Sequence, residues 1–296
     1  MSRMHEAIKK AAMEQFPPTA ANMSTVEAVL STSYSVGAPM PSRATRTDGF
    51  KRLPSGSLLL HNVHPEDWLP NKKAMLFYGD APDGSAREQF RSLRTKLYEL
   101  RSQREISIIS IASSLSGEGK SFVAANLAHV LALQRERTAL LIDGDMRRGS
   151  IAGLLGARST PGLTEYLQNQ EPLHAILQRG AGGNLYLIPG GVRISEPGEL
   201  ISSARLRALL AELRPLFDWI VIDTPPAVQF ADAGVLADLC DGTLMVVGAG
   251  LTPVPIAKRA VQQLRPDRIL GMVLNRGEDT DRAARYFSYY KEAKDS

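Results

Sequence analysis

The 296-residue sequence predicts an α/β fold, a parallel sheet with helices on both faces, preceded by a largely irregular N-terminal segment. From residue 83 onward, apolar runs rich in β-branched residues alternate with helix-like segments. An uninterrupted apolar run indicates a strand that is buried on both faces, as in a parallel sheet. The predicted strands are 106–112, 138–143, 185–189, 219–223, 243–247 and 269–275, and the predicted helices include 120–134, 204–214 and 256–265.

Residues 1–82 have a different composition, with eight of the 18 prolines and many Ser, Thr and Ala residues. We expect 17–80 to be mostly linker, apart from a short strand over 57–60. A weak helical pattern covers 4–16. The sequence therefore predicts three parts: a low-order N-terminal segment (1–82), an α/β domain (83–275) and a mobile C-terminal tail (276–296).

Composition and charge narrow the classes of function. The net charge is +4 and no basic run stands out, so nucleic acid is not an expected partner. The single cysteine, Cys240, excludes an internal disulfide framework and fits a reducing compartment. There is no leader-like apolar region and no apolar run long enough to span a membrane, so we expect a cytoplasmic protein.

The segment "SLSGEGKS", residues 114–121, follows the first strong strand and precedes a helix-like segment, which is the setting of a phosphate-binding loop. Gly117 and Gly119 would let backbone N–H groups face phosphate oxygens. Lys120 would reach the terminal phosphates, and Ser121 would offer its hydroxyl to Mg²⁺. An ordinary glycine turn before a helix is the plain alternative, but strand, loop and helix together favour a nucleotide site.

Two of the predicted strands end in carboxylates. "LLIDGDMRR" places Asp143 and Asp145 at one carboxyl end, and "WIVIDTPP" places Asp223 at another. Open parallel sheets bind ligands at these ends, so the carboxylates and the loop should meet in one crevice. Carboxylate oxygens suit Mg²⁺, directly or through water. A single Asp is better explained as a cap of the turn after its strand, but three beside such a loop favour a metal and nucleotide site.

The loop, "DGDMRR" and "IDTPP" together resemble the Walker A, A′ and B motifs of the deviant Walker-motif ATPases. That group usually has a lysine where this chain has Leu115. The chain is more similar to the bacterial tyrosine kinases, of the soluble CpsD/CapB type or the exosortase-associated autokinases. The resemblance covers roughly 83–296 and includes "PGLTEYL" and "ILGMVLN".

The resemblance implies an ATP- and Mg²⁺-dependent protein-tyrosine kinase. The expected catalytic residues are Lys120, Asp143, Asp145 and Asp223, with Asp143 accepting the proton of the incoming tyrosine. The expected metal ligands are Ser121, Asp145 and Asp223. The expected nucleotide-binding residues are Ser116, Gly117, Glu118, Gly119, Lys120, Ser121, Phe122, Arg147 and Asn275.

Two members of that set carry specific expectations. Asn275 would read the adenine, although a strand-end turn residue is an equally good interpretation. Arg147 is preferred to Arg148 for a phosphate contact, because the family often has Lys-Pro after the first arginine and this chain does not.

The segment "EQFRSLR", residues 88–94, matches the Glu-x-x-Arg-x-x-Arg element of the family through Glu88, Arg91 and Arg94. Residues three apart lie along one side of a helix. The resemblance implies that this helix mediates ring-like self-association. The local alternative is a capping box from Ser85 to Glu88, with solvated arginines.

The tail "RYFSYYKEAKDS" contains Tyr286, Tyr289 and Tyr290, three of only eight tyrosines in the protein. Charged residues surround them and the apolar pattern has stopped, so we expect an exposed, mobile segment. The resemblance implies autophosphorylation on these tyrosines. Packing of the aromatic side chains against the core is the alternative.

The resemblance also implies partners and a role in exopolysaccharide or capsular polysaccharide synthesis and export. The expected partners are further copies of the chain, a membrane polysaccharide co-polymerase as activator, and a tyrosine phosphatase and sugar-metabolism enzymes. The chain would then act in the cytoplasm, at the inner membrane through a partner. Two alternatives stay open: a nucleotide-switched positioning ATPase without kinase activity, and a polysaccharide-export scaffold with vestigial catalysis.

Overall fold

An eight-stranded sheet forms the centre of the computed structural model, which describes residues 59, 60, 62–78, 84–134, 136–181 and 183–277. The strands are β1 (Pro65–Glu66), β2 (Ile108–Ser113), β3 (Ala139–Asp143), β4 (Gln178–Gly180), β5 (Leu185–Ile188), β6 (Trp219–Asp223), β7 (Gly242–Gly248) and β8 (Ile269–Asn275). The order across the sheet is β1-β4-β5-β3-β6-β2-β7-β8. All six predicted strands are therefore confirmed.

Helices of very different length connect these strands. They are α1 (Gly84–Gln103), α2 (Lys120–Ala132), α3 (Ile151–Leu155), α4 (Leu163–Leu167), α5 (Leu173–Ile176), α6 (Gly198–Ser202), α7 (Ala204–Leu213), α8 (Asp232–Asp238) and α9 (Val254–Gln263), followed by a 3₁₀ turn at Pro266–Arg268. The three predicted helices are present as α2, α7 and α9. No helix of the described residues is long and apolar enough to span a membrane.

Neighbouring strands are parallel except for one pair. β4 runs antiparallel to β5, so the predicted parallel sheet includes one antiparallel pair. At the centre, β3 lies beside β6 with Asp143 opposite Asp223, and β2 lies between β6 and β7. The carboxyl ends of β2, β3 and β6 therefore meet at one edge of the sheet.

The sheet has an apolar layer on each face, because alternate strand residues point to opposite sides. In β6, Trp219 and Val221 pack in the layer formed with α1 and α2. Ile220 and Ile222 pack in the layer formed with α4 to α7. The helices on both faces confirm the predicted α/β architecture.

The linker prediction for 17–80 is wrong for its described part, residues 62–78, which we call the strap. The strap contributes β1 to the sheet edge and buries Trp68, Met75 and Leu76 in the core. Leu59 and Leu60 are helical, so the strand prediction is also wrong at these two positions. Residues 57 and 58 and the helical pattern over 4–16 lie outside the described residues.

The strap is held by Asn126 on α2. The Asn126 carboxamide accepts from Leu76 N–H at 2.8 Å and donates to the Ala74 carbonyl at 2.9 Å. Asn126 has no exposed surface, and the other residues of α2 from Val123 to Ala132 are buried as well. The strap therefore belongs to the same folded unit as the loop from which α2 begins.

Candidate active site

The loop between β2 and α2 has the geometry of a phosphate-binding loop. Gly117 and Gly119 have φ angles of 88° and 92°, a region that side chains other than glycine rarely adopt. A Cβ on Gly119 would lie 2.0 Å from Asn275 Nδ2, so the loop also leaves no space for one. α2 begins at Lys120, and the first N–H groups of a helix have no acceptor within it. They are available to an anion.

Lys120 and Ser121 meet two of the predicted carboxylates. Lys120 Nζ lies 3.4 Å from Asp145 Oδ2 and 3.5 Å from Asp223 Oδ1. Ser121 Oγ donates to Asp223 Oδ2 at 2.6 Å. The structure thus brings together the residues that the sequence placed at three separate points of the chain.

Asp143 lies beneath this group and has no exposed surface. Its two oxygens accept from the backbone N–H groups of Asp145, at 3.2 Å, and Ile151, at 3.0 Å. Burial, together with the charge of Asp223, raises the pKa of Asp143 to about 7. Such a carboxyl exchanges protons near neutral pH.

The electrostatics of Lys120 and Asp223 follow from their burial and their proximity. Burial raises the pKa of Asp223, although the charge of Lys120 opposes this effect. For Lys120, burial acts to lower the pKa, but Asp223 and Asp145 together outweigh it, so that the pKa is raised. Lys120 is therefore a firmly charged cation in the crevice.

The residues around Ser121 suit Mg²⁺. Asp223 Oδ1 is buried and has no close hydrogen bond in the described part of the protein, where it faces Lys120 Nζ at 3.5 Å, so this hard oxygen is open to a metal ion. Ser121 and Asp145 add a hydroxyl and a second carboxylate within the same group. Mg²⁺ prefers such oxygen ligands, so the expected set of Ser121, Asp145 and Asp223 fits the ion.

Ser150 is a further polar residue of this group that the sequence did not single out. Its hydroxyl donates to Ser121 Oγ at 3.0 Å, so a chain of hydroxyls leads from Ser150 through Ser121 to Asp223. Its position seven residues after Asp143 does not predict that it joins the site, because the turn at 144–150 decides where its side chain points.

The two arginines of "DMRR" lie differently from the expectation. Arg147 pairs with Asp232 at 2.7 Å and its guanidinium lies 4.5 Å from the centre of the Phe230 ring. It also donates to the Ser195 carbonyl. Arg148 instead donates to the hydroxyl of Ser116 in the phosphate-binding loop. Arg148 is thus the arginine beside the loop in this structure, and the preference for Arg147 in a phosphate contact stays a prediction.

Three other expected nucleotide-binding residues make contacts within the protein. Phe122 packs against Phe90 of α1, with ring centres 6.0 Å apart. Glu118 is 2% exposed and its carboxylate is engaged by donors of the protein, and Asn275 Nδ2 donates to the Glu118 carbonyl at 2.8 Å. Asn275 therefore stabilises the loop through this hydrogen bond, and its recognition of adenine stays a prediction.

The expected oligomerisation residues lie on α1. Glu88 and Arg91 form an exposed ion pair of 3.2 Å, while Arg94 donates to the Val130 carbonyl of α2 at 3.2 Å. The helix begins at Gly84, so Ser85 lies inside it rather than at its cap. Tyr286, Tyr289 and Tyr290 lie outside the described residues.

Comparison with known proteins identifies the family. A family model described as an AAA domain matches residues 106–247. The tyrosine-protein kinase YwqD of Bacillus subtilis is 32% identical over 205 residues, which cover 69% of this chain and 85% of that protein. The chain belongs to the bacterial tyrosine kinases. This membership favours the kinase interpretation over the positioning ATPase.

Solved and longer relatives agree with that assignment. The kinase domain of the Escherichia coli tyrosine kinase ETK superposes with a TM-score of 0.65 at 29% identity, covering 75% of this chain and 86% of that domain. The succinoglycan biosynthesis transport protein ExoP of Rhizobium meliloti is 30% identical over 254 residues. The match with the present chain covers only 32% of the length of ExoP.

Proposed function

We propose that the protein is an ATP-dependent protein-tyrosine autokinase that regulates exopolysaccharide or capsular polysaccharide synthesis and export. One observation carries the proposal. Lys120 Nζ of a phosphate-binding loop lies within 3.5 Å of Asp145, two residues after the end of β3, and of Asp223, the last residue of β6, while Ser121 Oγ donates to Asp223. Phosphoryl transfer depends mainly on positioning and on neutralising charge, and this group supplies both.

The loop and its neighbours would hold the nucleotide. The N–H groups at the start of α2 and the Lys120 ammonium face the same crevice and would bind the phosphates of ATP. Arg148, beside Ser116, adds a cation at the mouth of the loop. Ser121, Asp145 and Asp223 would hold Mg²⁺, which neutralises phosphate charge when it is bound.

Asp143 is the residue that would accept the proton of the acceptor tyrosine. Its pKa of about 7 suits a base at neutral pH. A cavity of about 270 Å³ lies next to it, lined by Gly149, Ala152, Ser159, Thr160, Gly190, Gly191, Val192 and Arg193. A Cβ placed on Gly190 would lie 3.7 Å from Asp143 Cγ, so the floor of this cavity is in contact with the carboxyl. We expect the tyrosine to approach from this side.

The acceptors would be Tyr286, Tyr289 and Tyr290, reached in a neighbouring copy of the chain. Asn275 ends β8, and Tyr289 follows 14 residues later, so the tail can extend at most about 50 Å. That length permits transfer within one chain or between two. Glu88, Arg91 and Arg94 support transfer between chains, because an assembled ring would hold each crevice near the tail of a neighbour.

The partners and the place of action rest on the relatives. ExoP is named as a transport protein of succinoglycan biosynthesis, which supports a role in polysaccharide export. We propose that a membrane polysaccharide co-polymerase activates the kinase and recruits it from the cytoplasm to the inner membrane. A tyrosine phosphatase and enzymes of sugar metabolism are the further proposed partners.

Incubation of the purified chain with Mg-ATP tests the kinase activity. We expect phosphotyrosine by immunoblot and a gain of one or more phosphates by intact mass. Lys120→Met is the matched control, since it removes the ammonium that lies near both carboxylates. A wild-type chain that hydrolyses ATP but stays unmodified, with and without a membrane partner, would contradict the proposal.

A further inference from the structure

Glu118 is a buried acid in the middle of the phosphate-binding loop. It is 2% exposed, and no cation pairs with it in the part of the chain that the structure describes. A negative charge next to a phosphate site opposes nucleotide binding, and a buried charge without compensation is costly. Its presence therefore calls for a structural reason.

Three donors surround the Glu118 carboxylate. Oε2 accepts from the Leu115 N–H at 2.6 Å, within the same loop. Oε1 accepts from the Gly248 N–H at 3.2 Å and from the Thr252 hydroxyl. Both oxygens are thus engaged by donors of the protein itself, which favours a structural role for Glu118 over metal ligation or proton transfer.

Two of the three donors, Gly248 and Thr252, lie at the end of β7 and in the connection that follows it towards α9; we call residues 248–252 the 248–252 loop. This loop is folded tightly on itself, since a Cβ on Gly248 would lie 3.1 Å from Leu251 Cδ1. From β8, Asn275 holds the Glu118 carbonyl at 2.8 Å. One residue therefore connects the phosphate-binding loop to the ends of both strands on the side opposite Asp143 and Asp223.

We propose that Glu118 is a positioning residue for the nucleotide: its carboxylate ties the phosphate-binding loop to the 248–252 loop, and Thr252 is its main side-chain partner. The tie holds the loop in the conformation in which its N–H groups face phosphate. The inference rests on the proposed nucleotide site and adds the second loop to it. An amide in place of the carboxylate has only one acceptor oxygen, so its NH₂ group would face an N–H donor.

Glu118→Gln and Thr252→Val test this tie without a large change in volume. In hydrogen exchange without nucleotide, we expect faster exchange in 114–119 and 248–252 for both variants. ATP affinity by calorimetry should fall about tenfold for Glu118→Gln and less for Thr252→Val. In kinase assays, KM for ATP should rise with a much smaller change in kcat. Thr252→Ser keeps the hydroxyl and should behave as wild type.

Glu212→Gln, on the exposed side of α7, controls for the loss of one negative charge. The double variant Glu118→Gln/Thr252→Val should bind ATP about as weakly as Glu118→Gln alone, because both substitutions break the same connection. Wild-type affinity and exchange in Glu118→Gln, or purely additive losses in the double variant, overturn the inference. A wild-type chain that binds no ATP, although exchange in both loops responds as expected, instead overturns the proposed function and leaves the structural tie intact.

Discussion

Asp143 lies at the carboxyl end of β3 with both oxygens bonded to backbone N–H groups. In Asp143→Asn the crevice keeps Lys120, Ser121 and Asp223 but loses the group that can take a proton. We expect phosphotyrosine formation to fall by at least about 100-fold, the usual size of a general-base contribution. ATP affinity should change by much less. Undiminished autophosphorylation of Asp143→Asn, measured by intact mass, would exclude Asp143 as the base.

His129 on α2 predicts a pH dependence of stability. Its ring is buried against Tyr78 and Phe77, and burial lowers the pKa of His129 from 6.5 to about 4. Between these values the unfolded chain binds a proton that the folded chain does not. The free energy of unfolding should therefore fall as the pH is lowered through this window, by up to about 3 kcal/mol.

Urea denaturation at several pH values measures this effect. The variant His129→Phe keeps a ring of similar shape and removes the titrating group. We expect it to lose most of the decrease in stability between pH 6.5 and about pH 4. An equally steep decrease in the variant would assign the effect to other groups.

For single residues, the sequence predicted the residue types of the site but not the directions of all side chains. Lys120, Ser121, Asp145 and Asp223 were identifiable because strand ends and a glycine-rich loop fix where such residues meet. The sequence favoured Arg147, but Arg148 is the arginine beside the loop, because a turn of a few residues decides which of two neighbours faces it. Whether an acid in the loop faces phosphate or the protein interior depends on the donors of distant segments.

The strap and α2 form one unit through Asn126. Asn126→Ala would leave the Leu76 N–H and the Ala74 carbonyl without their partners in a buried position. We expect a loss of about 2–4 kcal/mol in the free energy of unfolding. Asn71→Ala is a suitable comparison, since the Asn71 carboxamide accepts from Lys73 N–H at an exposed site. Equal stabilities of the two variants would contradict the role given to Asn126.

The helix α1 presents Glu88, Arg91 and Arg94 and keeps Phe90 and Leu97 buried. Replacing the three charged residues by Ala should give smaller particles in light scattering at equal concentration. The exposed Glu88–Arg91 pair contributes little to folding, as surface ion pairs generally do. Arg94 also holds Val130 of its own chain, so Glu88→Ala with Arg91→Ala isolates the intersubunit effect. A wild type that is monomeric under all conditions would contradict the assembly.

The elements that the sequence could not predict are short or polar. β1 has two residues and β4 has three, and neither contains an apolar run. Their strand geometry comes from pairing with each other and with β5. The strap was misread as linker because its apolar residues are spaced irregularly among prolines and charges. Long apolar strands, by contrast, specify their own burial.

The whole molecule is arranged around the sheet edge where β2, β3 and β6 end. One side of the phosphate-binding loop meets the carboxylates, and the other is tied to β7 and β8 through Glu118 and Asn275. The tail that carries the tyrosines continues from β8. The carboxylates, the phosphate-binding loop and the start of the tail with the expected acceptor tyrosines therefore lie on neighbouring strands of one sheet.

Mixing two chains, one without a working crevice and one without the tail tyrosines, tests this account most directly. One chain carries Lys120→Met with an intact tail, and the other has Phe at 286, 289 and 290 with an intact crevice. After incubation with Mg-ATP, intact mass and peptide mapping should show phosphate on Tyr286, Tyr289 or Tyr290 of the Lys120→Met chain, which neither chain acquires alone. No phosphate on that chain, in mixed oligomers that bind ATP, would contradict transfer from the crevice of one copy to the tail of another.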